Sequence, residues 1–536
     1  MDEESCSYKV ERDIACNTQS DAEPLIDTRI LKHCNTGAVA RIIEESESME
    51  EQHKNVAVLA ETSDKLVNDN IPEDKSRRPS SEEIAIASTS DVPCWTDNVL
   101  HIFVLSKAGK PIYSRYVRLR GVTFHRYGNE ACLSSVMSVM QALVSFVENS
   151  GDELQVINTS EKKFLFISRS HLILVAFSPI YEPTSHLLNC LNYVYDQIIS
   201  SLTLQRLEKQ FTRHANLDLR RLLVGDSRLL SSIINRVEES FGVFLGAISC
   251  LPLPENVRGA VSQIICHNAK LQGLVFAILF HKDDIISIVR MKNHHLCPSD
   301  IHILLNLIGS SQSFKSAQSH WLPICLPKFD ANGFLYASVT YLNDTTCLVL
   351  LTVDSSQFYP LKSITEKIFT LLSTANNDEY LSSISSSKLP QISDTGIKNL
   401  RHFVYKSTSI DQYIASQWSM PYAIKSELSA NSTSNINPEN KIELIDSNTI
   451  HKLRQGVLLS YKRLHMRLHS FRIPTKFIYK VTTTELFIGW KTDTFELYAT
   501  LEPIITKAQI GEIRKQLVKW IESKKTQFFI LSSPTF

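Results

Sequence analysis

An α/β sandwich of the α+β type, repeated three times behind an acidic arm that does not fold, is the fold class this sequence predicts. Three observations carry it. From Asn98 onward, short apolar or alternating runs are separated by amphipathic helical stretches. The order hairpin, helix, three-stranded meander, helix then recurs three times. Before that, residues 1–95 hold two aromatics (Tyr8 and Trp95) amid abundant Ser, Glu and Asp, with too little apolar surface to offset chain entropy.

In the first copy, Val99 to Leu105 and Pro111 to Tyr116 read as strands joined at Ala108-Gly109-Lys110. A helix is expected from Asn129 to Asn149, then strands Glu153 to Asn158, Lys163 to Ser168 and Leu172 to Ser178, and a long helix from Thr184 to Phe211. The second copy runs Leu274 to Phe280, Ile285 to Met291, a helix from Pro298 to Ser313, strands Leu322 to Leu326, Phe334 to Tyr341 and Thr346 to Val353, and a helix from Gln357 to Ser373. Proline suits the first turn of a helix, where its missing N–H is not needed. The third copy has Arg401 to Lys406, a strand around Tyr413, a helix from Thr449 to His469, strands Lys476 to Val481, Glu485 to Trp490 and Thr494 to Leu501, and a closing helix from Lys507 to Ser523. Five antiparallel strands with flanking helices per copy match the longin fold, so three tandem longin-like domains are expected. Their expected bounds are 96–225, 226–375 and 376–536, with surface loops at Ala375 to Gly396 and Ser426 to Asn440.

The formal net charge of zero conceals an asymmetry. Met1 to Trp95 carries 10 Lys+Arg against 21 Asp+Glu, a net of −11, and the remainder 46 against 35, a net of +11. Within the arm, Arg77-Arg78-Pro79-Ser80 has the pattern of a basophilic kinase site or of a solvated charge cluster. The 11 cysteines stand singly with no CxxC pair, as expected of free thiols in a reducing cytosol. No apolar run reaches the roughly 18 residues a bilayer crossing needs, so peripheral membrane association is expected.

Catalytic motifs are missing: there is no GxxxxGK[ST], HExxH or GxSxG. His294-His295-x-Cys297 has the wrong spacing for structural zinc and reads as a turn. Cys266-His267 reads as a core cysteine beside a surface histidine, and Glu82-Glu83 lies in the arm, where no cleft raises a pKa. No metal, cofactor or covalent enzyme chemistry is therefore expected, and the weight falls on binding and assembly.

Two features point to binding. In the first helix, Leu133, Val136, Met137, Met140, Leu143, Val144 and Val147 form one apolar stripe, while Cys132, Ser135, Val139, Ala142 and Phe146 form a second. One stripe suffices to pack the helix on its own sheet. The second needs cover from another domain or from a partner protein, and periodicity does not choose between them. In the third copy no acidic residue occurs between Asp446 and Glu485, while Lys452, Arg454, Lys462, Arg463, Arg467, Arg472, Lys476 and Lys480 do. That is the composition of an anionic-lipid patch or of a solvated helix face. Nucleic acid is disfavoured because no aromatic stacking platform accompanies the charge.

Several segments resemble the Mon/SAND family of vacuolar fusion proteins. Leu105-Ser-Lys-Ala-Gly-Lys-Pro-Ile-Tyr-Ser-Arg-Tyr116 is similar to its first hairpin and Val139-Met-Gln-Ala-Leu-Val-Ser-Phe-Val-Glu148 to its first helix. Leu191 to Ile199, Leu217 to Leu223, Pro298 to His302, Gln312 to Ser316, Trp321-Leu-Pro-Ile-Cys-Leu-Pro-Lys-Phe329, Phe495 to Thr500 and Pro534 to Phe536 follow in order. The resemblance implies pairing with a Ccz-type tri-longin subunit through the first domains. It implies that the pair is an exchange factor ejecting GDP from a late-endosomal and vacuolar Rab GTPase by distorting its switch region. Early-to-late endosome maturation and vacuole or lysosome fusion would follow. Recruitment to endosomal and vacuolar membranes by an early-endosomal Rab and anionic phosphoinositides, and restraint by the arm, are implied as well.

On this resemblance Val139, Ala142 and Phe146 are expected at the subunit interface. Lys107, Lys110, Glu130, Gln141 and Ser145 are candidates to face the substrate Rab, Trp321 to dock the recruiting Rab, and Lys452, Arg454, Lys462, Arg463 and Arg467 to meet lipid. This sequence departs from the family pattern in carrying the basic stretch Val117 to Tyr127 before Gly128, which either lengthens the second strand or protrudes as a loop. The alternative function is a non-catalytic adaptor or tether that binds Rabs and lipid.

Overall fold

The computed structural model describes residues 100–115, 130–214, 217–223, 225–310, 319–373, 378–423, 447–470 and 473–536, with side chains from 136 and 380 onward in the segments that begin at 130 and 378. The acidic arm with its Arg77-Arg78-Pro79-Ser80 and Glu82-Glu83, the Val117 to Tyr127 stretch, the Ser426 to Asn440 run and the Glu130 side chain lie outside these residues.

The first apolar runs become β1 (His101–Ser106) and β2 (Pro111–Arg115), and after helix α1 (Glu130–Asn149) come β3 (Val156–Asn158), β4 (Lys162–Arg169) and β5 (Leu172–Pro179). All neighbours are antiparallel in the order β2-β1-β5-β4-β3. Every residue of β1 and β5 is buried, which explains their continuous apolar character. Ile102, Val104, Leu172 and Leu174 face a core made with α2 (Thr184–Leu202), α3 (Leu204–Arg213) and α4 (Ser227–Glu239). Phe103, Leu105, Ile173 and Val175 face the opposite way, onto Met137, Met140 and Val144 of α1. The sheet is thus sandwiched between one helix and three.

The single helix expected from Thr184 to Phe211 is two. Thr203 takes φ +62°, which ends α2, and its side chain accepts a hydrogen bond from Arg206 N to cap α3. A threonine inside an apolar period gives no sign of this break.

After α5 (Phe241–Leu245), β6 (Ile248–Ser249) and α6 (Glu255–Asn268), the second copy forms β7 (Leu274–His281), β8 (Asp284–Arg290), α7 (Pro298–Ser310), β9 (His320–Leu326), β10 (Asp330–Tyr341), β11 (Thr346–Thr352) and α8 (Phe358–Ser373). Its order, β8-β7-β11-β10-β9, repeats the first. The Ala375 to Gly396 stretch, expected as a loop, contains helix α9 (Asp378–Ser386). Ile384 is fully buried against the second core, and Leu381 and Tyr380 pack beside it. Three apolar residues spaced along a Ser-rich segment are enough to fold it down.

The third copy comprises β12 (Leu400–Ser407), β13 (Gln412–Ala415), α10 (Ser447–Leu468), β14 (Phe477–Val481), β15 (Leu486–Lys491), β16 (Phe495–Leu501), α11 (Lys507–Ser523) and α12 (Lys525–Phe528). Here the five-stranded expectation needs correction: the sheet has six strands in the order β14-β15-β16-β12-β13-β6. β6, from the connector after the first copy, lies parallel on β13, with Ile248 N donating to Asp411 O. The next residues bridge Cys250 to Ile285 of β8, so one short segment joins the edges of the second and third sheets. An exposed edge offers unpaired backbone groups, and this connector satisfies two at once.

Buried polar contacts fix the copies together. Asn306 donates to Gln197 Oε1 and Leu229 O, both at 2.9 Å, tying the second copy to the first. Gln412 exchanges hydrogen bonds with the Ile530 backbone and accepts from Cys250 Sγ. Gly242 lies where the three copies meet: a Cβ there would come within 2.6 Å of Ala247 O and 2.9 Å of both His302 and Tyr413 ring carbons.

Candidate functional site

Helix α1 carries the candidate site. Met137, Met140 and Val144 are buried on the sheet, while Val139 is 52 % and Phe146 46 % exposed, with Ala142 exposed between them. These three recur at helical spacing on the outward side. Among the described residues no other domain of the chain covers them, so the bland source of cover, an internal domain contact, is absent there. A helix with an apolar stripe on each side and only one sheet beneath it presents the other stripe for association.

Four of the five candidates to face the substrate Rab lie beside this stripe. The β1–β2 turn places Lys107 in solvent and Lys110 half-exposed, with Gly109 at φ +76°, a left-handed geometry that favours glycine. Gln141 of α1 clips the turn: its Nε2 donates to Lys107 O at 3.3 Å and to Ser145 Oγ at 3.0 Å. Turn and helix therefore form one ledge of amide, hydroxyl and ammonium groups next to Val139 and Phe146. Glu130 begins α1.

Trp321 sits on β9, an edge strand of the second sheet. It is half-buried, stacked on Tyr336 with ring centroids 5.8 Å apart and edge-on to Phe358 at 5.9 Å. It is in a different copy from α1, so the structure does not gather it with the first-domain ledge.

The cations of α10 divide. Lys452 and Arg467 are exposed, and half-buried Arg463 shares their face at helical spacing, with its guanidinium 5.4 Å from the Tyr181 ring centroid. Half-buried Arg454 donates to Tyr422 O at 2.8 Å and lies over Trp418. Lys462 is a correction to the lipid-facing expectation. It is 6 % exposed, and its Nζ lies 2.8 Å from His186 Nε2, donates to Glu238 O at 3.2 Å and stands 3.9 Å from Glu182. Burial pulls its pKa down, against the upward pull of Glu182 and Glu238. Burial likewise raises Glu182, against Lys462. The lysine is an internal tie between the first and third copies; composition alone does not distinguish it from its exposed neighbours.

The remaining motifs behave as turns and core. His294 and His295 bond Arg290, and Cys297 is exposed in the loop before α7. Cys266 is half-buried and donates to Thr535 O, while His267 bonds Gln263 O within its own helix. Cys190, Cys250, Cys266, Cys297, Cys325 and Cys347 are free thiols, and among the described residues no helix is long and apolar enough to cross a membrane.

Comparison with known proteins agrees with this architecture. Three family models match in order: the first, second and third longin domains of FUZ, MON1 and HPS1, over residues 100–233, 272–370 and 399–525. The chain is 34 % identical over 502 residues to "Protein SAND" of Takifugu rubripes, covering 92 % of this chain and 88 % of that protein. It is 34 % identical to "Vacuolar fusion protein MON1 homolog A" of Gallus gallus, covering 82 % and 74 %, and 32 % identical to homolog B of Homo sapiens, covering 82 % and 77 %.

Proposed function

The chain belongs to the Mon/SAND family of vacuolar fusion proteins, and from that premise we propose that it is one subunit of a two-protein exchange factor for a late-endosomal Rab GTPase. The observation that carries the proposal is the stripe Val139, Ala142 and Phe146 on α1, exposed among the described residues. It is a prepared surface for a second longin protein, the Ccz-type subunit. Beside it, Lys107, Lys110, Gln141 and Ser145 form a polar ledge that the Rab would meet once the two first domains join. Exchange on such a surface needs no residue to form or break a covalent bond. It needs a rigid composite face that binds the nucleotide-free shape of the switch region better than the GDP-bound shape. The packing of α1 on an entirely buried β1 supplies that rigidity on this side.

Recruitment draws on other surfaces. Trp321 on its edge strand is the candidate contact for an early-endosomal Rab. Lys452, Arg463 and Arg467 are the candidate contacts for anionic phosphoinositide membrane. The paired substitution Val139→Asp with Phe146→Asp tests the reading. Both side chains are already half in solvent, so the folded chain should keep its melting temperature. It should lose co-purification with the Ccz-type subunit and, with it, accelerated GDP release. If pair formation and exchange persist, the assignment of this face is wrong.

A further inference from the structure

We infer that His465, His469 and Glu496 form a binding site for a divalent transition-metal ion of the zinc class. Helix α10 carries His465, and the turn closing its end carries His469, whose N donates to His465 O, so the two imidazoles lie one helical turn apart on the same side, with ring centroids 4.1 Å apart. Strand β16 brings Glu496 beneath them: Oε1 lies 3.0 Å from His469 Nε2 and Oε2 3.9 Å from His465 Nε2. One donor atom from each residue falls within 4.8 Å of the other two. Metal–ligand bonds of about 2.0–2.2 Å require donors roughly 3.4 Å apart in a tetrahedron, so modest rotation of the histidines gathers all three. Two imidazoles and one carboxylate suit zinc and its neighbours, and three protein ligands leave a fourth position for water.

The surroundings are built around this triad. Glu496 is 2 % exposed, and Tyr498, itself fully buried, donates to Oε2 at 2.8 Å and fixes the carboxylate. His469 is 35 % exposed, which gives an ion a path in from solvent.

One residue competes with the ion. Lys491 Nζ lies 3.2 Å from His469 Nδ1. Its ammonium donates there, which puts the imidazole proton on Nε2, facing Glu496. A metal on Nε2 moves that proton to Nδ1, where it would confront the ammonium, so Lys491 must swing away. Lys491 is half-exposed at the end of β15 and has solvent to swing into. The ion would then staple α10 to the third sheet, with Lys491 setting the affinity.

The test uses the full chain, untagged and stripped with chelator, alone and with its Ccz-type partner, titrated with Co²⁺. The expected result is one equivalent bound with the visible absorption of a four-coordinate nitrogen and oxygen site, and no thiolate charge-transfer band. His469→Ala should abolish that equivalent, and Zn²⁺ should raise the melting temperature of the parent chain but not of His469→Ala. Lys491→Met should tighten binding by about tenfold or more, which keeps the inference testable even if a ligand variant folds poorly. No saturable binding, binding that survives His469→Ala, or Lys491→Met without effect on affinity would each overturn it.

Discussion

Replacing Lys462 by alanine removes an ammonium that the third copy inserts between α2 and α4 of the first. The side chain is 6 % exposed and its Nζ meets His186 Nε2, Glu238 O and Glu182. Deleting one partner of a buried ion pair costs about 3–5 kcal/mol, because the other charge is left without compensation. Glu182 is itself 17 % exposed, and its raised pKa lets it relieve part of the loss by taking a proton, so the low end, about 3 kcal/mol, applies. Lys462→Met removes the same charge but keeps the stem and its packing, so its loss should be smaller than that of Lys462→Ala. Hydrogen exchange in the full chain reads this locally. Amides of α2 and α10 should exchange about a hundredfold faster in Lys462→Ala, as 3 kcal/mol implies, while those of the second copy change little. Binding to anionic vesicles at a temperature where the variant is folded should be unchanged. Unaltered exchange together with lost vesicle binding would refute the burial argument and restore Lys462 to the lipid-facing group.

Three further outcomes follow from the same structure. Gly242→Ala should lower stability by about 3 kcal/mol, measured as a fall in melting temperature, since its Cβ has backbone 2.6 Å away and no flexible neighbour to yield; an unchanged melting temperature would count against the crossing geometry. His302 and His402 are fully buried, and burial first, then Arg236 and Arg454 respectively, pulls them to about 4 and about 3. The unfolded chain takes up these protons below about pH 6.5 and the folded chain does not, so these two residues together should contribute a fall in stability of about 2 kcal/mol between pH 6 and 5, and His302→Gln should flatten the slope by about half of that. Lys452→Glu with Arg467→Glu should weaken binding to phosphoinositide vesicles by about 2 kcal/mol or more, read by flotation, with no change in melting temperature.

What could be read from the sequence was what repeats locally. The all-buried β1 and β5 announce themselves as apolar runs, and the two stripes of α1 separate cleanly because Met137 and Met140 go to the sheet while Val139 and Phe146 do not. Helix α11 spans the residues its period indicates, Lys507 to Ser523. The features that escaped depend on contacts across long stretches of chain. β6 looks like connector until β13, far along the chain, comes to lie beside it. Lys462 reads as one more surface cation because His186 and Glu238 are distant in sequence. His465 and His469 show ligand spacing on a helix, but only the sheet reveals that Glu496 completes the group. Thr203 broke a helix through a backbone angle that no apolar period encodes.

The decisive experiment is release of fluorescent GDP from a late-endosomal Rab, recorded with this chain alone, with the Ccz-type subunit alone, and with both. Acceleration by the pair and by neither subunit separately is the result expected of a site shared across two first domains. A well-formed pair that binds the Rab, preferentially when GTP-loaded, and leaves GDP release at its intrinsic rate would contradict the exchange-factor reading and make the protein an adaptor.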